Sequence, residues 1–220
     1  LADRPPIVSY NFNEPSTLFN GMISPLIPYT MKGVVWYQGE NNAFRHEEYG
    51  KLFSLLISDW RSKWDNDFSF YYVQIAPYFN YYNSNALLRE VQRKALEIPK
   101  TGMVVTLDIG EKYDIHPSNK HDVGFRLARY ALKNDYKIDL IDSGPLYISQ
   151  LIHEDVIKVY FKHIGDGLVL DENGYSKFEI AGMDKNYFEA DVVNQNDFLE
   201  IFSAEVKNPL YVRYAWSDTS

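Results

Sequence analysis

Apolar residues in this chain follow one spacing over the first two thirds and another over the last. At residues 33–37 a short β-branched and aromatic run, opened by Gly33, has the pattern of a strand buried on both faces. Over residues 47–64 the apolar positions Tyr49, Leu52, Phe53, Leu56, Ile57 and Trp60 recur every three or four residues, which predicts an amphipathic helix. The alternation then repeats. A strand is predicted at 70–76, and a helix at 84–97 with Leu87, Leu88, Val91 and Ala95 on its inner stripe and Pro99 as its stop. A strand follows at 103–108, then a helix at 121–134 with Val123, Leu127, Tyr130 and Ala131 inward. Strands alternating with helices of this length predict a parallel sheet covered by helices on both sides.

After about residue 140 the period shortens to two. The runs at 156–161 and 198–202, separated by Gly165-Asp166-Gly167, Glu172-Asn173-Gly174 and Asn194-Gln195-Asn196-Asp197, predict hairpins, with one more strand at 211–216. The expected organisation is an α/β part over residues 1–142 and a small antiparallel β domain over 143–220. Residues 1–20 are rich in Pro, Asn and Asp and read as an extended lead-in to the Asn20-Gly21 turn.

Composition narrows the function. Of 220 residues, 45% are hydrophobic and 16% aromatic, ample for a core. A formal charge of −8 argues against nucleic acid and anionic membranes as partners, since both require clustered Lys and Arg. The chain has no cysteine, which excludes disulfides, thiolate metal sites and a cysteine nucleophile. No run reaches the ~18–20 consecutive apolar residues of a membrane span. The first residue is Leu1, which raises the expectation that the chain is part of something longer.

Two segments carry candidate chemistry. Gln38-Gly39-Glu40-Asn41-Asn42 lies where the strand at 33–37 gives out, and ligands of doubly wound sheets sit beyond the carboxyl ends of strands. An amide there either donates to a developing oxyanion or caps a turn. Asp114-Ile115-His116-Pro117 places an imidazole in a stiff loop ahead of a helix, where His116 can act as general base with Asp114 or Asp108 as its acid partner, or can be an ordinary loop histidine. Zinc at Asp114, His116, His121 and Asp122 has the wrong spacing for a helical His-x-x-x-His site. Arg89 follows the Asn- and Tyr-rich stretch 78–83, a composition suited to sugar recognition.

In Gly33–Asn42, Asp59-Trp60-Arg61, Val73–Pro77, Thr106–Gly110, Asp114–Lys120 and Val123–Ala128, the sequence resembles the sialate O-acetylesterase-like branch of the SGNH hydrolase superfamily. Further matching residues are Phe19–Ile23, Ser143-Gly144-Pro145 and Val212–Trp216. The resemblance implies a flavodoxin-like three-layer α/β/α portion followed by β structure, and removal of acetyl groups from sialic acids or related sugars by serine acyl transfer. It makes His116 the base, Gln38 the oxyanion-hole amide beside Gly39, and Glu40 a supporting residue; from their own positions Asn42 and Arg89 are expected to support the site or bind substrate. No cofactor is implied, and the expected location is exported or lysosomal.

Two features depart from the family pattern. Its acid usually stands three residues before the histidine, where this chain has Tyr113 while Asp114 is two before, so a Ser-His dyad and a triad through Asp114 are both open. The nucleophile normally lies in a Gly-x-Ser-like turn upstream, and Ser9, Ser24 and Ser118 match no such turn. The expected partners are therefore an acetylated sugar such as an O-acetyl sialic acid and the missing N-terminal half of the same protein.

Overall fold

The computed structural model describes residues 14–82, 84–170 and 178–219. Its α/β part holds three parallel strands, β1 (Gly33–Trp36), β2 (Ser69–Val73) and β3 (Thr101–Val104), in the order β1-β2-β3. The helices are α1 (His46–Lys63), α2 (Asn85–Lys94) and α3 (Lys120–Asn134). Strand β2 is buried along its whole length because both faces are covered, and its side chains divide by the period of two. Phe70 and Tyr72 enter a cluster with Tyr49, Phe53 and Ile57 of α1 and Leu88 of α2, whereas Tyr71 and Val73 face Val123 and Tyr130 of α3. That makes the three layers the sequence predicted. Fully burying side chains of the size of Ile57 or Phe70 stabilises the fold by about 1.5–3 kcal/mol each.

The expected strand at 33–37 is shorter and differs in burial. It is an edge strand, and Val35 is 64% exposed. Its continuous apolar run has the composition of a two-sided core strand, but no strand pairs its outer edge among the described residues. Strands β2 and β3 also end earlier than predicted, because Gln74–Ala76 and Thr106–Asp108 leave the ladder to build loops at the carboxyl end of the sheet.

The inner face of α2 differs most. Leu88 is buried as predicted, but Leu87 is exposed, and Asn85, Arg89 and Gln92 are buried with it. Each of those polar side chains has backbone groups to bond, so the stripe is polar by requirement.

Beyond α3 the chain forms two antiparallel sheets. One orders β4 (Leu146–His153), β5 (Val156–Lys162), β9 (Phe198–Phe202) and β8 (Asp191–Asn194), and the other β10 (Tyr211–Tyr214), β6 (Phe178–Ala181) and β7 (Phe188–Glu189). They share a core of Ile157, Val159, Phe178, Ile180, Leu199 and Ile201. The turn at Asn194–Asp197 joins β8 to β9 as expected, with Asn196 in the left-handed region. Gly165-Asp166-Gly167 instead starts the connection from β5 to β6, between sheets, and the hairpin between β4 and β5 turns at Glu154 and Asp155. Glu172-Asn173-Gly174 lie outside the described residues. After β10 the chain returns to the α/β part, where Ala215 and Asp218 bond to Arg89, Asn85 and Tyr78. No helix among the described residues is long and apolar enough to cross a membrane.

Candidate active site

At the carboxyl end of β1 the chain leaves the sheet through Tyr37 and Gln38 and turns at Gly39, whose φ of 152° is strained for any residue with a side chain. Gly39 is buried, and a Cβ there would lie 3.2 Å from Ile75 and Gln92 side-chain atoms. Two buried groups pin the Gln38 carbonyl from beneath: the Tyr49 hydroxyl donates to it at 3.2 Å and Gln92 Nε2 at 3.4 Å. Gln92 Oε1 accepts the Ile75 N–H at 2.9 Å, so one α2 side chain ties the ends of two strands together. The Gln38 side chain donates to Asn42 Oδ1 at 2.8 Å, which commits one N–H of its amide and leaves the second free to donate.

The opposite wall is the loop between β3 and α3. Gly110 allows it to close on the segment after β2, because a Cβ there would sit 2.8 Å from the Pro77 carbonyl oxygen. The loop holds its own shape. Glu111 accepts both the N–H and the hydroxyl of Ser118 at 2.7 Å, and Asp114 Oδ1 accepts the His116 backbone N–H at 2.7 Å. Those Ser118 bonds pull the Glu111 carboxyl below its ordinary range.

Together these walls bound a cleft of about 440 Å³ lined by Tyr37, Gln38, Glu40, Asn41, Ile115, His116 and Lys120. The Lys120 ammonium lies 4.9 Å from the centre of the Tyr37 ring, and among the described residues Lys120 forms no ion pair. Burial, and then the Glu40 carboxylate, push the Tyr37 phenol above its ordinary value, so it stays protonated and able to donate. Burial likewise lifts Tyr49 to about 12.

Of the residues singled out by sequence, Gln38, Glu40 and His116 line this cleft, and Gly39 and Asn42 support it. The others stand elsewhere. Asp114 Oδ1 is 4.0 Å from His116 Nδ1, beyond a hydrogen bond, because that carboxylate is spent on the backbone. Asp108 is held by a bidentate pair with Arg126, at 2.6 and 2.7 Å, and is not a partner for the histidine. Arg89 is 4% exposed and donates to the carbonyls of Ala215 and Ser217, so it anchors the returning chain instead of facing a ligand. His121 turns to Asp122, and among the described residues no group of three or more His, Asp and Glu could hold a metal. Ser24 belongs to a short 3₁₀ turn, Ser118 is engaged by Glu111, and Ser9 lies outside the described residues.

Asn41 and Ile115 lie in the two segments picked out from sequence without a role of their own, and Tyr37 and Lys120, which flank those segments, were not singled out. Asp142, Ser143 and His163 also meet, but Ser143 Oγ at 2.6 Å and Asp142 Oδ1 at 3.8 Å both approach His163 Nδ1. A relay requires the serine and the acid on different ring nitrogens, so this cluster is a polar contact and no second site.

Three layers around a parallel sheet, with Gln38 and His116 lining one cleft beyond its carboxyl end, define the class by fold, an SGNH-like α/β arrangement. The chain belongs to the family described as carbohydrate esterase, sialic acid-specific acetylesterase, whose profile matches residues 9–133. It is 34% identical to the sialate O-acetylesterase of Mus musculus over 154 aligned positions, which take in 60% of this chain and 28% of that protein. The Homo sapiens sialate O-acetylesterase is 30% identical over 175 positions, 68% of this chain and 34% of that protein. A solved carbohydrate acetylesterase from Xanthomonas citri superposes with a TM-score of 0.84 at 36% identity, covering 92% of this chain and 49% of that one. The chain thus spans at most about half the length of these relatives.

Proposed function

We propose that this chain is the part of a carbohydrate O-acetylesterase that carries the general base and an oxyanion-hole donor, and that the nucleophilic serine belongs to residues outside these 220. The observation that carries this reading is the cleft itself: His116 and Gln38, from different elements, line it, and no serine stands among its described lining residues. The edge of β1, unpaired among the described residues and with Val35 exposed, supports it, since a further strand would complete the sheet there.

In this mechanism His116 takes the proton from the serine hydroxyl as its oxygen attacks the acetyl carbonyl carbon. Negative charge moves onto the carbonyl oxygen, where the free Gln38 N–H donates. Collapse breaks the bond to the sugar oxygen, which leaves with the proton from His116. Water, deprotonated by His116, then attacks the acetyl-serine and releases acetate. The neutral imidazole is required for both attacks. An acid partner is not needed, which makes this a dyad with His116 steadied by its own loop.

We infer O-acetyl sialic acids as the substrate, and Lys120 supports that, since it supplies the cleft with a cation for the sugar carboxylate. A second reading is acetylated neutral sugars of a polysaccharide such as xylan, since the Xanthomonas relative is described as a carbohydrate acetylesterase without naming its sugar.

The test measures acetate released from O-acetyl sialic acid and from acetylated xylan by the full-length gene product, its His116→Ala variant and the 220-residue chain. We expect the full-length protein to be active, the variant to lose about 10³-fold and the chain to be inactive. Turnover by the chain would place the nucleophile within it. Sugar binding with no turnover by any form would instead make it a glycan-binding protein, and preference for xylan would favour the second reading.

A further inference from the structure

Beside the cleft stand five large rings facing solvent: Phe44 (50% exposed), Phe79 (56%), Tyr81 (93%), Tyr82 (71%) and Tyr113 (83%). Grouped exposure of this kind marks a binding surface, because scattered single residues would carry no such cost together. Their placement follows the cleft walls. Asn41 lines the cleft, and Phe44 is three residues on in the 3₁₀ helix Glu40–Arg45, where residues i and i+3 eclipse, so Phe44 stands on the Asn41 face. The Phe44 ring lies 5.5 Å from that of Tyr82, and Phe79 lies 6.2 Å from Tyr81, nearly perpendicular. On the other wall the Phe79 N–H donates to the Lys112 carbonyl at 2.7 Å, next to Tyr113, which is two residues from Ile115 of the cleft lining.

The rings rest on a built foundation. Asn80 Oδ1 accepts the Tyr82 N–H at 3.1 Å, while its Nδ2 donates to Asn85 Oδ1 at 2.9 Å. Asn85, fully buried, donates from Nδ2 to the Tyr78 carbonyl and from its backbone to Asp218 Oδ1, both at 2.8 Å. The Asp218 carbonyl accepts the Tyr78 N–H at 3.0 Å, and buried Arg89 ties down the residues before it. A loop held from below by buried polar groups presents its rings in one arrangement, which lowers the ordering cost of binding.

We propose that these rings form a track for the sugar residues that flank the acetylated one, so the substrate is an acetylated oligosaccharide rather than a free monosaccharide. Flat apolar ring faces match the C–H faces of pyranose rings, and the tyrosine hydroxyls can bond sugar hydroxyls at the edge. Continuity with the cleft selects this occupant. The inference rests on the esterase reading of that cleft.

Its test uses the full-length protein with Tyr81→Ala, Tyr82→Ala and the double variant. The quantity read is kcat/KM for an acetylated oligosaccharide divided by that for the acetylated monosaccharide. We expect the double variant to lower this ratio about tenfold, mostly through KM, and Tyr82→Phe to leave most of it intact. An unchanged ratio with a lowered Tm would overturn the proposal, because the rings would then be packed under the rest of the protein. Should the protein hydrolyse neither substrate, the esterase reading fails by itself. Calorimetric binding of a deacetylated oligosaccharide, weaker in the double variant, would still support the track, and equal or absent binding would end it.

Discussion

The Gln38 wall of the cleft is held from beneath by buried side chains, whereas the His116 wall is held by hydrogen bonds within its own loop. Gln38 inherits its position from the sheet: Tyr49 and Gln92 grip its carbonyl, and the buried Gly39 turn cannot be rebuilt with another residue without strain. His116 has an 86% exposed side chain, and its neighbours Asp114 and Glu111 spend their carboxylates on loop backbone. An oxyanion donor benefits from being fixed before the reaction, since reorganising it would cost part of the stabilisation it gives. The exposed imidazole has no such frame within the described residues, and under the proposed function residues outside these 220 would supply it.

That contrast can be broken most forcefully from the buried side. Gln92→Ala would strand the Ile75 N–H and loosen Gln38, and we expect it to destabilise the protein by about 2–4 kcal/mol, read from urea unfolding. An effect under 1 kcal/mol would show that α2 does not fix this wall. Next comes Gln38→Ala, expected to lower kcat for acetate release by the full-length protein about 10²-fold while Tm moves little. A rise in KM with kcat intact would make Gln38 a binding residue instead.

On the exposed side, Asp114→Ala should cost less than about tenfold in kcat, because its carboxylate supports the backbone and not the imidazole. A loss near 10³-fold would mean that Asp114 turns onto the ring once the site is complete. The smallest effect is in stability against pH. Arg126 bonding holds the Asp108 carboxyl below its ordinary value, as Ser118 does for Glu111. Folded values depressed below unfolded ones contribute stability that is present above the usual carboxylate values of about 3.9 and 4.3 and is lost as pH falls through the folded ones. Melting curves from pH 6 to 3 should show that loss, and Asp108→Asn with Glu111→Gln should flatten it.

Much of the α/β part was legible because its periodicities are strong. Phe53, Ile57, Val123 and Tyr130 fall inward where their spacing put them. Helix α2 was the exception, since a pattern search counts apolar residues and its working face is Asn85, Arg89 and Gln92, buried to satisfy backbone groups from distant segments. Strand β1 misled for the opposite reason: its composition suits a core position, yet it lies at the edge of the sheet as described. The hairpin between β4 and β5 turns at Glu154-Asp155, which lacks the glycine that announces such turns.

The sequence by itself determined the order of strands and helices, the family and the two segments that line the cleft, because periodicity and motif spacing are local properties of the chain. Tertiary structure decided which carboxylates are free to act, that Arg89 belongs to the returning end of the chain, and that Gln38 and His116 share one cleft with Lys120. Those outcomes depend on contacts between residues up to 128 positions apart, and no local pattern encodes which distant backbone group a buried polar side chain will meet.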